Sequence, residues 1–189
     1  IYGGFNIWGK HKDFAQSSDL FSFQINQFIS TEFQNFQDTI LLVDENQKDV
    51  SSSAGHSLMD NHPFSMDRYV IAYKNTSALK IILEKGDLFA FCELVEKEAM
   101  MLHSLMMTSS PSYVLMKPQT LEIMNEIKAF RNMNKVPVCF TLDAGANVHV
   151  LYPEKDSKSV TDFINSKLSK YCFQAKFIMD HVGKGPQII

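Results

Sequence analysis

The chain has 189 residues, 45% apolar and 21% charged, with a formal net charge of −3. That length buries a sizeable core, as one domain or as one domain plus part of another. The scattered lysines form no basic stripe, which argues against nucleic acid as a partner, and no apolar run approaches the roughly 20 residues of a membrane helix. Cys92, Cys139 and Cys172 are odd in number, far apart and set among apolar neighbours. They read as buried thiols of a reducing compartment rather than disulfides or metal ligands, which makes the cytoplasm the default location. No signal peptide is visible, although the chain does not open on Met.

In chain order, residues 1–8 read as a turn between aromatics, with Gly3-Gly4 permitting a tight reversal. Residues 13–35 are mixed and polar, with Phe21, Phe23, Phe28 and Phe33 interspersed, and predict irregular structure and one short strand. The apolar run 39–43 predicts a buried strand. Residues 44–48 predict a hairpin turn into Asp49-Val50-Ser51. Ser51-Ser52-Ser53-Ala54-Gly55 then offers hydroxyls and backbone N–H groups ahead of a helix, which suits a phosphate or carboxylate. Taken alone, such a run is more commonly a helix cap or a linker. His56, Asp60 and His62 fit no standard metal spacing and read as a solvated loop, so no metal site is expected.

Residues 65–83 are helical in pattern, with Val70, Ile71, Leu79, Ile82 and Leu83 as the apolar positions. Gly86 ends this helix and Asp87 caps the next. There Leu88, Phe91, Cys92, Val95, Ala99, Leu102 and Met106 recur at three- and four-residue steps, a buried stripe. The methionines at its end read as adaptable packing, and His103, at the stripe's edge, as a satisfied core or boundary histidine. Ser109-Ser110-Pro111 breaks the helix. Pro118 opens another, with Ile123, Met124, Ile127 and Phe130 on one face. Strands are expected over 136–142, with Pro137 at its entry, over 148–152 and over 176–179, with a helix over 157–171 and a loop or tail over 182–186. No repeat or low-complexity tract appears. The sum is an α+β fold, helices packed on an antiparallel sheet.

Between the strands 136–142 and 148–152 lies Asp143-Ala144-Gly145-Ala146-Asn147. A carboxylate at the end of a buried strand is costly without partners or a task, and glycine allows positive φ and close approach of amides to an anion. The local pattern alone favours an Asx-type hairpin turn. Residues beyond the turn change that balance. Phe140 to Val148 resembles the signature of the diphosphomevalonate decarboxylases, a branch of the galacto-, homoserine, mevalonate and phosphomevalonate kinase superfamily. Ile1-Tyr2-Gly3-Gly4-Phe5 with Trp8 resembles the segment just after the family's serine-rich phosphate loop. Lys48-Asp49-Val50-Ser51-Ser52-Ser53-Ala54-Gly55 resembles its hydroxyl-rich substrate segment, and the helix ending Met101-Leu102-His103-Ser104 agrees in place.

The resemblance implies the superfamily's C-terminal domain over residues 57–189, with residues 1–56 completing the end of the preceding nucleotide-binding domain. It implies ATP and Mg²⁺ as cofactors, a small anionic isoprenoid precursor as substrate and a possible homodimer. It makes Asp143 the catalytic residue, with Ser51, Ser52, Ser53 and Gly145 holding the substrate. In the relatives, a serine phosphate loop and an Arg that holds the substrate carboxylate lie just before the segment that Ile1 to Trp8 resembles. This chain has only Arg68 and Arg131 and no Gly/Ser-rich phosphate loop. A fragment of a larger enzyme, binding ATP poorly by itself, is therefore the expectation. Some relatives carry Arg at the position of Ser53, and Met is common at that of His56. A kinase of a mevalonate-like alcohol that stops before decarboxylation, or a non-catalytic homologue, stays open.

Overall fold

Strand residues with alternating faces build the centre of the molecule, for which a computed structural model describes residues 2–45 and 62–186. Strand β3 (Gln37–Leu41) lies between β5 (Val148–Tyr152) and β6 (Phe177–His181), and β4 (Cys139–Leu142) pairs with β5 on the far side. All pairings are antiparallel, with Thr39 opposite both Val150 and Met179, and Thr141 opposite His149. A short ribbon of β1 (Asn6–Ile7) and β2 (Phe23–Gln24) stands apart from this sheet.

The period-2 alternation sends Leu41, Phe140, Leu142, Val148, Val150 and Tyr152 into one core. There they meet Ile123, Met124 and Ile127 of helix α3 (Pro118–Asn134) and Val160 and Phe163 of α4 (Ser157–Phe163). The rings of Phe130 and Phe163 stack at 4.1 Å. Cys139 and Leu151 point the other way, onto a second cluster built on Phe33, Phe36, Phe91 and Cys92. Phe33, Phe36 and Phe91 form a triangle with centroids 5.0–5.3 Å apart, within the range of favourable ring pairs. Helix α2 (Leu88–Thr108) covers β4 on this side. Helix α1 (Ser65–Lys85) lies against α2.

Start and stop signals act where expected. Gly86 takes φ 74° as the C-cap of α1, and Asp87 accepts a hydrogen bond from the Ala90 amide at the start of α2. Pro118 opens α3, and Lys135 closes it at φ 56°. Val138 N–H donates to Val136 O across Pro137, so β4 begins two residues after that proline.

Other expectations shift. The strand expected over 39–43 runs Gln37–Leu41, because Gln37 and Asp38 join both ladders while Val43 N–H turns back to Leu41 O. Val70, an expected apolar position of α1, is half exposed, and Leu83 is the buried one. The single helix expected over 157–171 is instead α4, a π turn over Ile164–Leu168 and a 3₁₀ turn over Ser169–Tyr171. Asn165, Ser166 and Ser169 each donate from the side chain to the carbonyl four residues back, competing with the backbone ladder. The wider π turn lets Ile164 and Leu168 both bury fully. The last strand is Phe177–His181 rather than 176–179. β3 precedes residue 57 in sequence yet sits inside the sheet, so the described sheet draws on both sides of the expected domain boundary. The expected hairpin turn at 44–48 falls only in part within the described residues, and its partner strand lies outside them.

Candidate active site

Asp143 follows directly on β4 and is exposed. Its backbone is held from two directions. The Asp143 carbonyl accepts from Nε2 of His103, 3.0 Å away on α2, and from the Gly145 amide at 2.8 Å. A carbonyl can only accept, so His103 Nε2 carries the proton. His103 is 1% exposed, and burial pushes its pKa below the usual histidine value, which keeps the ring neutral. The edge position on the stripe made His103 a satisfied core or boundary residue, and the structure agrees. The object of its hydrogen bond was not legible, since 40 residues separate the partners.

The other end of the turn is tied separately. Thr120, fully buried in the first turn of α3, donates from Oγ1 to Ala146 O at 2.7 Å and accepts from the Lys117 amide at 3.1 Å. Asn147 Oδ1 accepts from the Asp44 amide at 3.0 Å, and the Lys117 ammonium pairs with the Asp44 carboxylate. The Asp143–Asn147 turn is thus fixed by α2, by the N-terminus of α3 and by the chain leaving β3. Sequence reasoning missed Thr120, Lys117, Asp44 and Asn147 as its supports. A Thr three residues past the N-cap of α3 was the available signal.

Gly145 lies in the same turn, half-buried, and its amide is already directed at the Asp143 carbonyl. It does not use the positive φ that glycine allows; Gly4, Gly9, Gly86 and Gly185 do. Ser51, Ser52 and Ser53 lie outside the described residues, as do His56 and Asp60. His62 is buried, with Nε2 3.0 Å from Thr108 Oγ1 and Nδ1 accepting from the Phe64 amide.

Both arginines are committed elsewhere. Arg131 makes a bidentate pair with Glu96 at 2.6 and 3.0 Å and donates to Val138 O, and Arg68 pairs with Glu98 at 2.6 Å. On the open part of the sheet, His149 Nδ1 lies 2.9–3.0 Å from both Asp38 carboxylate oxygens, a pair the sequence did not reveal. Among the described residues no group of three or more His, Cys, Asp or Glu gathers to hold a metal, and their sequence contains no phosphate-loop motif. These residues therefore do not fit ATP or Mg²⁺ by themselves. What the turn can do chemically is present one carboxylate, on a rigid mount, to a group outside the sheet.

A phosphomevalonate decarboxylase from Haloferax volcanii is 29% identical over 105 residues, covering 56% of this chain and 32% of that protein. A diphosphomevalonate decarboxylase from Debaryomyces hansenii is 21% identical over 217 aligned positions, 99% of this chain and 54% of that protein. The crystal structure of mevalonate diphosphate decarboxylase from Staphylococcus aureus matches with a TM-score of 0.80 at 24% identity, over 100% of this chain and 55% of that one. A structure of MDDEF in complex with MVAPP, AMPPCP and magnesium matches with the same TM-score at 25% identity, over 98% and 54%. The chain spans about half the length, or less, of these relatives. Residues 38–185, from the start of the sheet through the Asp143 turn to its last strand, match the mevalonate 5-diphosphate decarboxylase C-terminal domain, and the chain belongs to that family.

Proposed function

We propose that the protein takes part in ATP-dependent decarboxylation of mevalonate diphosphate, releasing phosphate and carbon dioxide and giving isopentenyl diphosphate. The observation that carries this reading is Asp143, exposed at a strand end on a turn anchored at three points, inside the matched family domain. When bound, ATP supplies the phosphoryl group and magnesium offsets its charge; the described residues fit neither, so the chemistry assigned here is that of Asp143.

A tertiary alcohol is a poor nucleophile, and a carboxylate within hydrogen-bond reach orients it and accepts its proton. Phosphoryl transfer is loose in its transition state, so positioning outweighs base strength and an ordinary carboxylate suffices. Loss of the phosphate later leaves positive character at carbon, which an anionic Asp143 also stabilises. Ser51, Ser52 and Ser53 would hold the anionic substrate, and Gly145 would shape the turn beside it. A homodimer and a cytoplasmic location belong to the same reading; the latter is supported by Cys92, Cys139 and Cys172 being free, buried thiols.

The test is Asp143→Asn in the full-length protein, assayed with mevalonate diphosphate and ATP for ADP and carbon dioxide together. Carbon dioxide release should fall by ~10²–10⁴-fold, the usual worth of a general base, with substrate binding largely kept. Near-normal turnover would remove Asp143 from its role. ADP formed without carbon dioxide by the unsubstituted full-length protein would identify a kinase. The Haloferax relative favours a second substrate, the monophosphate, and faster turnover of that compound would select it.

A further inference from the structure

We propose that His103 is a positioning residue for Asp143: it holds the carboxylate at its working angle by donating a hydrogen bond to the Asp143 backbone carbonyl. The inference rests on the catalytic reading of Asp143 and goes beyond it, since His103 touches no substrate. An acid that must meet a substrate hydroxyl has to be held within roughly 0.5 Å and 10–20° of its productive geometry. Asp143 lies just beyond the sheet ladder, where strand pairing no longer fixes the backbone, because Leu142 opposite Val148 is the last paired residue of β4. The peptide plane that follows Asp143 is instead set by the two donors to its carbonyl. One of them, the Gly145 amide, belongs to the turn and moves with it. The other is anchored in α2, and that helix is tied to α3 by the Glu96–Arg131 pair and to α1 by Glu98–Arg68. His103 therefore links the end of β4 to a helix that is itself tied to two others.

The placement also accounts for a polar ring in an apolar interior. A buried imidazole without a partner costs free energy that an aliphatic side chain would not. Leucine would fill this part of the α2 stripe without that cost, so the donor itself is what the position supplies.

The experiment uses the full-length protein and compares His103→Leu, His103→Gln and His103→Asn with Asp143→Asn. His103→Leu should lower kcat by about 10–100-fold, the penalty of a small misplacement of a reacting group, with KM within about threefold of the parent value. Glutamine places an N–H near the Nε2 position and should recover most of kcat. Asparagine, one methylene shorter, should not. In the Asp143→Asn background, His103→Leu should cause little further loss of kcat, because two residues acting through one group are not additive. Loss of kcat equal in His103→Leu and His103→Gln, or undiminished in the Asp143→Asn background, would make His103 a packing residue and overturn the proposal. If the leucine variant fails to fold, the Gln and Asn variants decide alone, since only the positioning role separates them. Normal turnover of Asp143→Asn would defeat the catalytic reading; a severe Asp143→Asn defect beside normal His103 variants would defeat only this inference.

Discussion

Arg131 and Glu96 carry the largest single-residue consequence outside the Asp143 turn. Both side chains are nearly buried, at 11% and 7% exposure, and their two-point contact keeps Arg131 charged, raising its pKa further. Removing one partner leaves the other charge buried and unpaired. Arg131→Met should therefore cost about 3–5 kcal/mol of unfolding free energy, whereas replacing both partners by apolar residues should return much of the loss. Urea titration of the purified protein checks it; a cost below about 1 kcal/mol, the ceiling of an exposed pair, would show that the pair is effectively solvated. The sequence displayed only that arginine is scarce here. It could not show that both arginines are spent on α2, because Glu96 and Glu98 look like ordinary helix carboxylates until the crossing of α1, α2 and α3 is known. Asp143 was legible for the opposite reason, since an acid, a glycine and an asparagine in five residues between two apolar runs is a local signal. Its supports at His103, Thr120 and Asp44 are distant in sequence and were not.

Helices were readable in proportion to how much of their design is local. For α2, the stripe, the Asp87 cap and the Gly86 stop are all contained in one stretch, and the observed span Leu88–Thr108 follows them. Asp87→Ala removes the acceptor for the Ala90 amide and should cost about 1 kcal/mol, the typical worth of an N-cap. Asp87→Ser should restore most of it. Chemical denaturation of the three proteins decides, and equal stability of all three would mean that water caps the helix as well. The segment after β5 was misread because periodicity alone does not register a carbonyl claimed by a neighbouring hydroxyl. Asn165, Ser166 and Ser169 bond back along the chain, and the π turn results. β3 was misplaced by two residues for a tertiary reason. Its polar start, Gln37-Asp38, is recruited by two flanking strands and by the His149 contact, none of which a window of five residues contains.

At the scale of the whole molecule, buried titratable groups set the pH range of stability. Burial lowers the pKa of His103 in the folded chain below its unfolded value near 6.5, so between those two values the unfolded state binds more protons. Stability is then fully present above pH 6.5 and declines as the pH falls through that value towards the folded pKa. Cysteine acts in the reverse sense. Burial pushes Cys172 up to about 11 from 9.0, and raises Cys139 as well, so the unfolded chain ionises first. That contribution is present below pH 9 and is lost as the pH rises beyond it. The two effects predict a stability plateau between about pH 6.5 and 9 that falls on both sides, with each group contributing a slope of at most about 1.4 kcal/mol per pH unit. Urea midpoints measured under reducing conditions from pH 5 to 10 would trace it. His103→Gln should flatten the acid side selectively between pH 6.5 and 5, because the amide does not titrate, and Cys172→Ala should flatten the alkaline side. An acid limb equally steep in the glutamine variant would assign the loss to carboxylates and show that His103 is protonated without opening the Asp143 turn.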